Sequence, residues 1–192
     1  MDCIIVHGCP SDKEKAMDEK TRIYDKHWIP WIKKKLCEET IMVAVPLMPE
    51  PWAPNYESWK NRFDKLEINE NSILVGHSCG CAFLVRWLGE TKKKIKKLIL
   101  VAPAITNKRK DDWESQEFYD FKINKNLLKN IGHIILFKSD DDDASILESC
   151  KIYENNLNPK VIELKNHGHF TLGDMGTEEF PELLNEILDN NI

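Results

Sequence analysis

The chain contains 192 residues, of which 42% are apolar and 31% are charged, and its formal net charge is −5. This length and composition predict a single domain over residues 1–192 with enough core to fold alone. The acidic balance does not favour a nucleic acid or an anionic membrane as partner, and the lysine-rich run at 92–97 is expected to be a solvated helix end. No apolar stretch approaches the length of a membrane-spanning helix.

The six cysteines contain no C-x-x-C pair, and no signal peptide is evident. We therefore expect reduced thiols in a cytoplasmic protein. The spacing of Cys79 and Cys81 is too short for the usual zinc site, so a metal site is not expected. The cysteines are Cys3, Cys9, Cys37, Cys79, Cys81 and Cys150.

The first predicted strand is the apolar run from Cys3 to Val6, which ends in His7-Gly8. A continuous apolar run of this kind is typical of a parallel strand that is buried on both faces inside a sheet. Residues 10–26 are charged and lack an apolar period, so we expect an exposed insertion there, with a lid as the alternative.

Helix and strand patterns then alternate along the chain. This alternation predicts a mostly parallel open sheet with helices on both faces. Residues 106–121 are charged and aromatic, and we expect them to cover the sheet edge or to shape a pocket. The predicted helices are at 27–36, 56–66, 81–88, 145–154 and 178–188, and the later strands are at 41–46, 73–75, 95–102, 131–137 and 160–164.

The sequence Gly76-His77-Ser78-Cys79-Gly80 stands between an apolar strand pattern and an apolar helix pattern. A G-x-S-x-G in this context predicts a sharp turn that exposes a serine hydroxyl at its tip. Such a turn is the nucleophile elbow of an α/β-hydrolase. The alternative is a glycine-rich strand-to-helix turn in another kind of α/β protein.

Two backbone N–H groups are candidates for an oxyanion hole. In this fold one donor is the residue after the nucleophile, here Cys79, and the other lies in the loop after an early strand, here Cys9. Because the donors are backbone groups, we expect both cysteine side chains to be dispensable. The alternative for the first loop is a strand-ending glycine without a chemical role.

An acid and a base are expected at the ends of later strands. Four aspartates, Asp140 to Asp143, follow one strand, and His169 follows the last strand after Gly168. The chain order serine, aspartate, histidine is the one this fold uses, and open parallel sheets place their sites at these strand ends. We prefer His169 to His167 because it stands at the tip of the turn. The aspartates could instead form a solvated acidic turn.

These features resemble the small serine hydrolases of the RBBP9/YdeN family, which are compact α/β-hydrolases with a minimal cap. The family motif at the acid begins with a serine, and aligning that motif from Ser139 implies that Asp142 is the acid. An apolar residue three positions after the acid is common in this kind of turn, and Ile146 has that spacing from Asp143, which favours Asp143 instead. The chain departs from the family pattern after the acid, where a proline is missing. The matching pieces are Val6-His7-Gly8, residues 27–34, Met48-Pro49-Glu50-Pro51, Gly76-His77-Ser78-Cys79-Gly80, Leu100-Val101-Ala102, residues 137–142 and Gly168-His169-Phe170.

The sequence thus predicts a serine hydrolase that cleaves a small ester or amide through an acyl-serine intermediate. The expected catalytic residues are Ser78, His169 and Asp142, and no cofactor is expected. The alternative is a protein-binding module on the same fold without catalytic activity. Four aromatic residues are candidates for lining an apolar substrate pocket: Trp52, Trp113, Tyr119 and Phe170.

Overall fold

The computed structural model describes residues 2–10, 13–14, 26–105 and 117–189. Its strands are β1 (Asp2–Val6), β2 (Met42–Ala44), β3 (Ile73–His77), β4 (Ile95–Val101), β5 (Ile131–Ser139) and β6 (Lys160–Leu164). Among the described residues they form one parallel sheet in the order β2-β1-β3-β4-β5-β6. The predicted open sheet is confirmed, and β1 lies inside it.

The helices pack in two layers. Helix α1 is Ile29–Glu38, α2 is Tyr56–Phe63, α3 is Cys79–Thr91, α4 is Ala144–Leu157, α5 is Leu172–Met175 and α6 is Pro181–Leu188. Helix α1 contacts α6, whereas α2 contacts α3, so the sheet is covered on both faces. None of the described helices is long and apolar enough to cross a membrane.

The observed helices differ from the predicted ones mainly at their ends. Helix α4 runs on to Leu157, and α6 begins at Pro181 because proline suits the first turn of a helix. Most of the insertion at 10–26 and of the segment at 106–121 lies outside the described residues, and so does Trp113.

Buried aromatic clusters support the sheet from both sides. In one cluster, Trp28 and Phe137 pack edge-on against Phe180, with ring centroids 5.9 and 5.2 Å away. In another, Trp59 packs against Phe83 with centroids 5.5 Å apart. All five side chains are inaccessible to solvent. The strand ends that carry the site therefore rest on a close-packed core.

The end of β1 packs directly against the start of α3. A Cβ atom at Gly80 would lie 2.4 Å from the carbonyl oxygen of Val6 and 2.8 Å from that of His7. A side chain at this position would force the two backbones apart. Gly80 therefore allows the loop after β1 to lie beside the turn that carries Ser78.

We expect Gly80→Ala to lower the free energy of unfolding by about 1–3 kcal/mol or more, because backbone atoms must move to admit the methyl group. Urea denaturation followed by circular dichroism measures the change. Gly173→Ala is the matched control, since its Cβ would meet only Thr171 Oγ1, at 3.7 Å. Equal effects of the two substitutions would contradict this account of the packing.

Candidate active site

Ser78 occupies the turn between β3 and α3 in a backbone conformation that serine rarely adopts. Its φ is 53° and its ψ is −119°. Such a conformation costs on the order of 1–3 kcal/mol and persists only where the surroundings enforce it. Here the Ser78 N–H donates to the Val101 carbonyl at 3.0 Å, and the Ser78 carbonyl accepts from Cys81 at 3.1 Å and Ala104 at 3.2 Å.

The Ser78 side chain lies in a continuous chain of hydrogen bonds with His169 and Asp142. Ser78 Oγ is 2.9 Å from His169 Nε2. On the other side of the ring, His169 Nδ1 is 3.0 Å from Asp142 Oδ2 and 3.2 Å from Oδ1. The Asp142 side chain is only 2% exposed, whereas that of His169 is 28% exposed. The carboxylate therefore faces the imidazole from inside the protein, and the serine faces it from the opposite edge.

The four consecutive aspartates have four different surroundings. Asp140 Oδ1 accepts from the Asn166 N–H at 3.0 Å, and Asp141 Oδ1 accepts from the Gly168 N–H at 2.8 Å. Asp142 faces His169, and Asp143 precedes the first residue of α4. Asp140 and Asp141 are exposed, and they also bind the loop after β6, which folds back onto them.

Asp141 is the central anchor of that loop. Its carboxylate also accepts from Ser139 Oγ at 2.5 Å, and Ser139 Oγ in turn accepts from the His167 N–H at 2.9 Å. The hydrogen bonds from Ser139 and Gly168 lower the pKa of Asp141, so the carboxylate stays ionised. The residues that precede His169 are thus fixed to the end of β5.

A capping box fixes the same loop from the C-terminal side. Thr171 caps α5, and its hydroxyl donates to Asp174 Oδ2 at 2.7 Å. The same carboxylate oxygen accepts from the His169 N–H at 3.1 Å. We did not assign Asp174 a role from the sequence, although a threonine followed three residues later by an acidic residue is the signal of such a cap.

His77 forms a hydrogen bond with the backbone of His169. Its Nε2–H donates to the His169 carbonyl at 2.9 Å, and the two ring centroids are 5.3 Å apart. Burial, together with the neighbouring His169 and His27, holds the pKa of His77 well below its ordinary value. His77 is therefore a neutral donor at neutral pH. The sequence placed it beside Ser78 without indicating this role.

The loop after β1 lies on the other side of Ser78. His7 Nδ1–H donates to the Gly8 carbonyl at 2.7 Å, and His7 Nε2 accepts from the Met48 N–H at 3.1 Å. A Cβ atom at Gly8 would lie 3.2 Å from Ser78 Cβ, which shows how closely this loop approaches the serine. These contacts set the position of the Gly8–Cys9 peptide beside the turn.

The structure corrects the prediction that all six cysteines are reduced thiols. Cys9 and Cys79 form a disulfide, with Cα atoms 5.9 Å apart, although 70 residues separate them in the chain. The remaining cysteines are free: Cys3, Cys37, Cys81 and Cys150. The two partners meet because the end of β1 packs against the start of α3. The cytoplasmic location stays a prediction, and it loses the support that we drew from reduced thiols.

The aromatic residues expected to line a pocket have different surroundings. Phe170 is buried and stacks on Phe180 with centroids 5.3 Å apart, so it belongs to the core. Trp52 and Tyr119 are half-buried, and Lys13 Nζ lies 5.6 Å from the ring centroid of Trp52. Across the described ranges, no group of three or more His, Cys, Asp or Glu side chains is arranged to hold a metal ion.

The parallel sheet, the strained turn at Ser78 and the strand-end position of the site define an α/β-hydrolase fold. The model of the serine hydrolase family matches residues 21–188, and the chain belongs to this family and is a hydrolase. It is 27% identical over 162 residues to the YdeN protein of Bacillus subtilis, an alignment that covers 81% of this chain and 83% of YdeN.

Solved structures share the fold. The YdeN crystal structure from B. subtilis superposes with a TM-score of 0.82 at 22% identity, covering 97% of this chain and 96% of that one. Est1E from Butyrivibrio proteoclasticus, solved with ferulic acid bound, gives a TM-score of 0.65 at 14% identity and covers 97% and 87% of the two chains. The resemblance to the YdeN family is thus confirmed.

We expect Asp141→Ala to lower kcat by roughly tenfold to a hundredfold, because His169 loses an anchor and a shift of about 1 Å is enough for such a loss. Asp141→Asn should retain most activity, since its amide oxygen can still accept from Gly168. Asp120→Ala, at an exposed position, is the control. Steady-state hydrolysis measures all three, and full activity of Asp141→Ala would contradict the anchoring role.

The buried histidines predict how stability depends on pH. Burial lowers the pKa of His7 to about 4 and lowers that of His77 as well, whereas both regain a pKa near 6.5 on unfolding. The unfolded state therefore binds more protons below about pH 6.5, and folding stability falls as pH drops from there toward about 4.

We expect His77→Asn to reduce this pH dependence, because one titrating group is removed while an amide N–H can still donate to His169. Between pH 7 and pH 5 the free energy of unfolding should fall less steeply in the variant, by up to about 1.4 kcal/mol per pH unit. Urea denaturation at the two pH values measures the difference. Identical slopes would show that His77 does not titrate on unfolding.

Proposed function

We propose that the protein is a serine hydrolase that cleaves a small ester or amide through an acyl-serine intermediate. In this proposal Ser78 is the nucleophile, His169 is the general base and acid, and Asp142 is the carboxylate that orients the imidazole. The observation that carries the proposal is the hydrogen-bond chain from Asp142 through His169 to Ser78 Oγ, with its heavy-atom contacts of 3.0 and 2.9 Å.

Acylation begins when Ser78 Oγ attacks the carbonyl carbon of the substrate and passes its proton to His169 Nε2. A serine hydroxyl is almost never ionised at neutral pH, so the reaction needs this base. The imidazolium that forms is stabilised by the buried Asp142 carboxylate at Nδ1. His169 then protonates the leaving alcohol or amine, and the tetrahedral intermediate collapses to the acyl-serine.

The developing oxyanion is assigned to the backbone N–H groups of Cys9 and Cys79. Within the described part of the chain, neither N–H donates to another protein group, so both are available to a substrate oxygen. The N–H of Cys79 also belongs to the first turn of α3, where the helix dipole favours negative charge. In deacylation, water takes the place of Ser78 as the attacking group: His169 accepts a proton from the water as it attacks the acyl carbonyl carbon. His169 then returns a proton to Ser78 Oγ as the acid product leaves.

Hydrolysis of p-nitrophenyl acetate and butyrate, and of an aminoacyl p-nitroanilide, tests the proposal and separates ester from amide preference. We expect turnover by the native protein, and a loss on the order of a thousandfold or more in Ser78→Ala. Far-ultraviolet circular dichroism checks that the variant is folded. Unchanged turnover in folded Ser78→Ala would refute the assignment of the nucleophile.

The choice of Asp142 over Asp143 has its own test. Asp142→Asn should lower kcat by orders of magnitude, because a neutral amide replaces the carboxylate that stabilises the imidazolium. Asp143→Asn is the matched control and should stay within a few-fold of the native rate, since that residue precedes α4 instead of facing His169. The reverse result, with the Asp143 variant inactive and the Asp142 variant active, would move the acid by one position.

A further inference from the structure

The Cys9–Cys79 disulfide joins the two residues whose N–H groups are assigned to the oxyanion hole, so any catalytic role of this bond rests on the proposed function. Cys79 is held firmly because it is the first residue of α3 and is buried. Cys9 is only half-buried and stands in the loop after β1. The covalent bond therefore connects a fixed donor to a donor in a loop.

The residues before Cys9 are held by more hydrogen bonds than Cys9 is. The hydrogen bonds of His7 fix the Gly8 carbonyl, and Gly8 packs against Ser78. Within the described ranges, Cys9 makes no hydrogen bond through its N–H or its carbonyl. Cys9 also packs against the core, and the disulfide is its covalent tie to the turn. The planar Gly8–Cys9 peptide, which carries the N–H, is thus held by His7 on one side and by the disulfide on the other.

We propose that the Cys9–Cys79 disulfide is a redox-sensitive brace of the oxyanion hole. With the bond formed, the two donor residues are held with their Cα atoms 5.9 Å apart. With the bond reduced to two thiols, the Gly8–Cys9 peptide is held by the His7 hydrogen bond and by packing alone, and its N–H turns away from the oxyanion for part of the time. The enzyme is then most active when oxidised, and a dithiol reductant lowers its activity.

The reduction is a thiol–disulfide exchange with a dithiol. One thiolate of the reductant attacks the sulfur of Cys9, which is the less buried of the two residues, and Cys79 leaves as a thiolate at the N-terminus of α3, where the helix dipole stabilises negative charge. The second thiol of the reductant then releases Cys9 and closes its own disulfide. Two electrons and two protons pass to the protein, and the reductant is oxidised by the same amount.

The three buried cysteines do not compete in this exchange. Burial raises the pKa of Cys3 and of Cys150 to about 12 and holds that of Cys81 well above its ordinary value, so these thiols are protonated and unreactive. Cys37 is exposed and free, and it is the residue to remove as a control.

Loss of an oxyanion donor has a specific kinetic signature. The negative charge on the carbonyl oxygen develops in the transition state, so the brace stabilises that state more than the bound substrate. Reduction should therefore lower kcat and leave KM within about a factor of two. Complete removal of one such donor costs roughly 10²–10³ in kcat, and because reduction frees the donor without deleting it, we expect a loss of about tenfold to a hundredfold.

The experiment measures p-nitrophenyl ester hydrolysis over a series of reduced-to-oxidised dithiothreitol ratios. Mass spectrometry after alkylation gives the fraction of Cys9–Cys79 disulfide at each ratio, and circular dichroism reports whether the protein is folded. We expect kcat to follow the disulfide fraction and to recover on reoxidation. Cys37→Ser should behave as the native protein does.

The double variant Cys9→Ser/Cys79→Ser removes the bond while keeping side chains of similar size. Because the two side chains form a disulfide, the expectation that both are dispensable no longer holds: the variant should have the kcat of the reduced native protein and no response to dithiothreitol. The brace is overturned, and the proposed function stands, if reduction leaves Ser78-dependent turnover unchanged. The same holds if this variant has the rate of the oxidised native protein. Unfolding of both reduced forms overturns it as well, because the bond would then hold the fold. Absence of Ser78-dependent turnover in the oxidised protein overturns the function and the brace together.

Discussion

The close approach of the end of β1 to the turn between β3 and α3 is the constraint on which the rest of the site depends. Gly80 lies against the carbonyls of Val6 and His7, and Gly8 lies against Ser78. This packing enforces the unusual backbone of Ser78 and brings Cys9 beside Cys79, so the same contact creates the turn that carries Ser78, the neighbouring N–H groups that we assign to the oxyanion hole, and the disulfide. A larger residue at either glycine would disturb all three together.

The histidine is positioned mainly by a second set of contacts. Asp140, Asp141 and Asp174 accept hydrogen bonds from backbone N–H groups of the loop that contains His169, and His77 donates to its carbonyl. These are mostly charge-assisted hydrogen bonds, which are stronger than neutral ones and fix geometry well. The serine is thus held by backbone packing and the histidine by side-chain acceptors, and the two halves meet at the contact between Ser78 Oγ and His169 Nε2.

Much of this arrangement could be predicted because it depends on local sequence. Apolar runs and helical spacing indicated the strands and helices, and G-x-S-x-G between a strand and a helix indicated the turn at Ser78. The sequence could only narrow the aspartate that faces His169 to Asp142 or Asp143. The loop after β6 brings His169 to Asp142 through contacts between residues that are distant in sequence. The disulfide was missed for the same reason: 70 residues separate Cys9 from Cys79, and only the packing of β1 on α3 brings them together.

Labelling with a fluorophosphonate tests the central claim most directly, because such a probe reacts covalently with an activated serine and needs no knowledge of the substrate. After digestion, mass spectrometry identifies the modified residue. We predict one adduct on Ser78 in the oxidised native protein and none in Ser78→Ala. Labelling of another residue, persistence of the adduct in Ser78→Ala, or a folded native protein that does not react at all would contradict it.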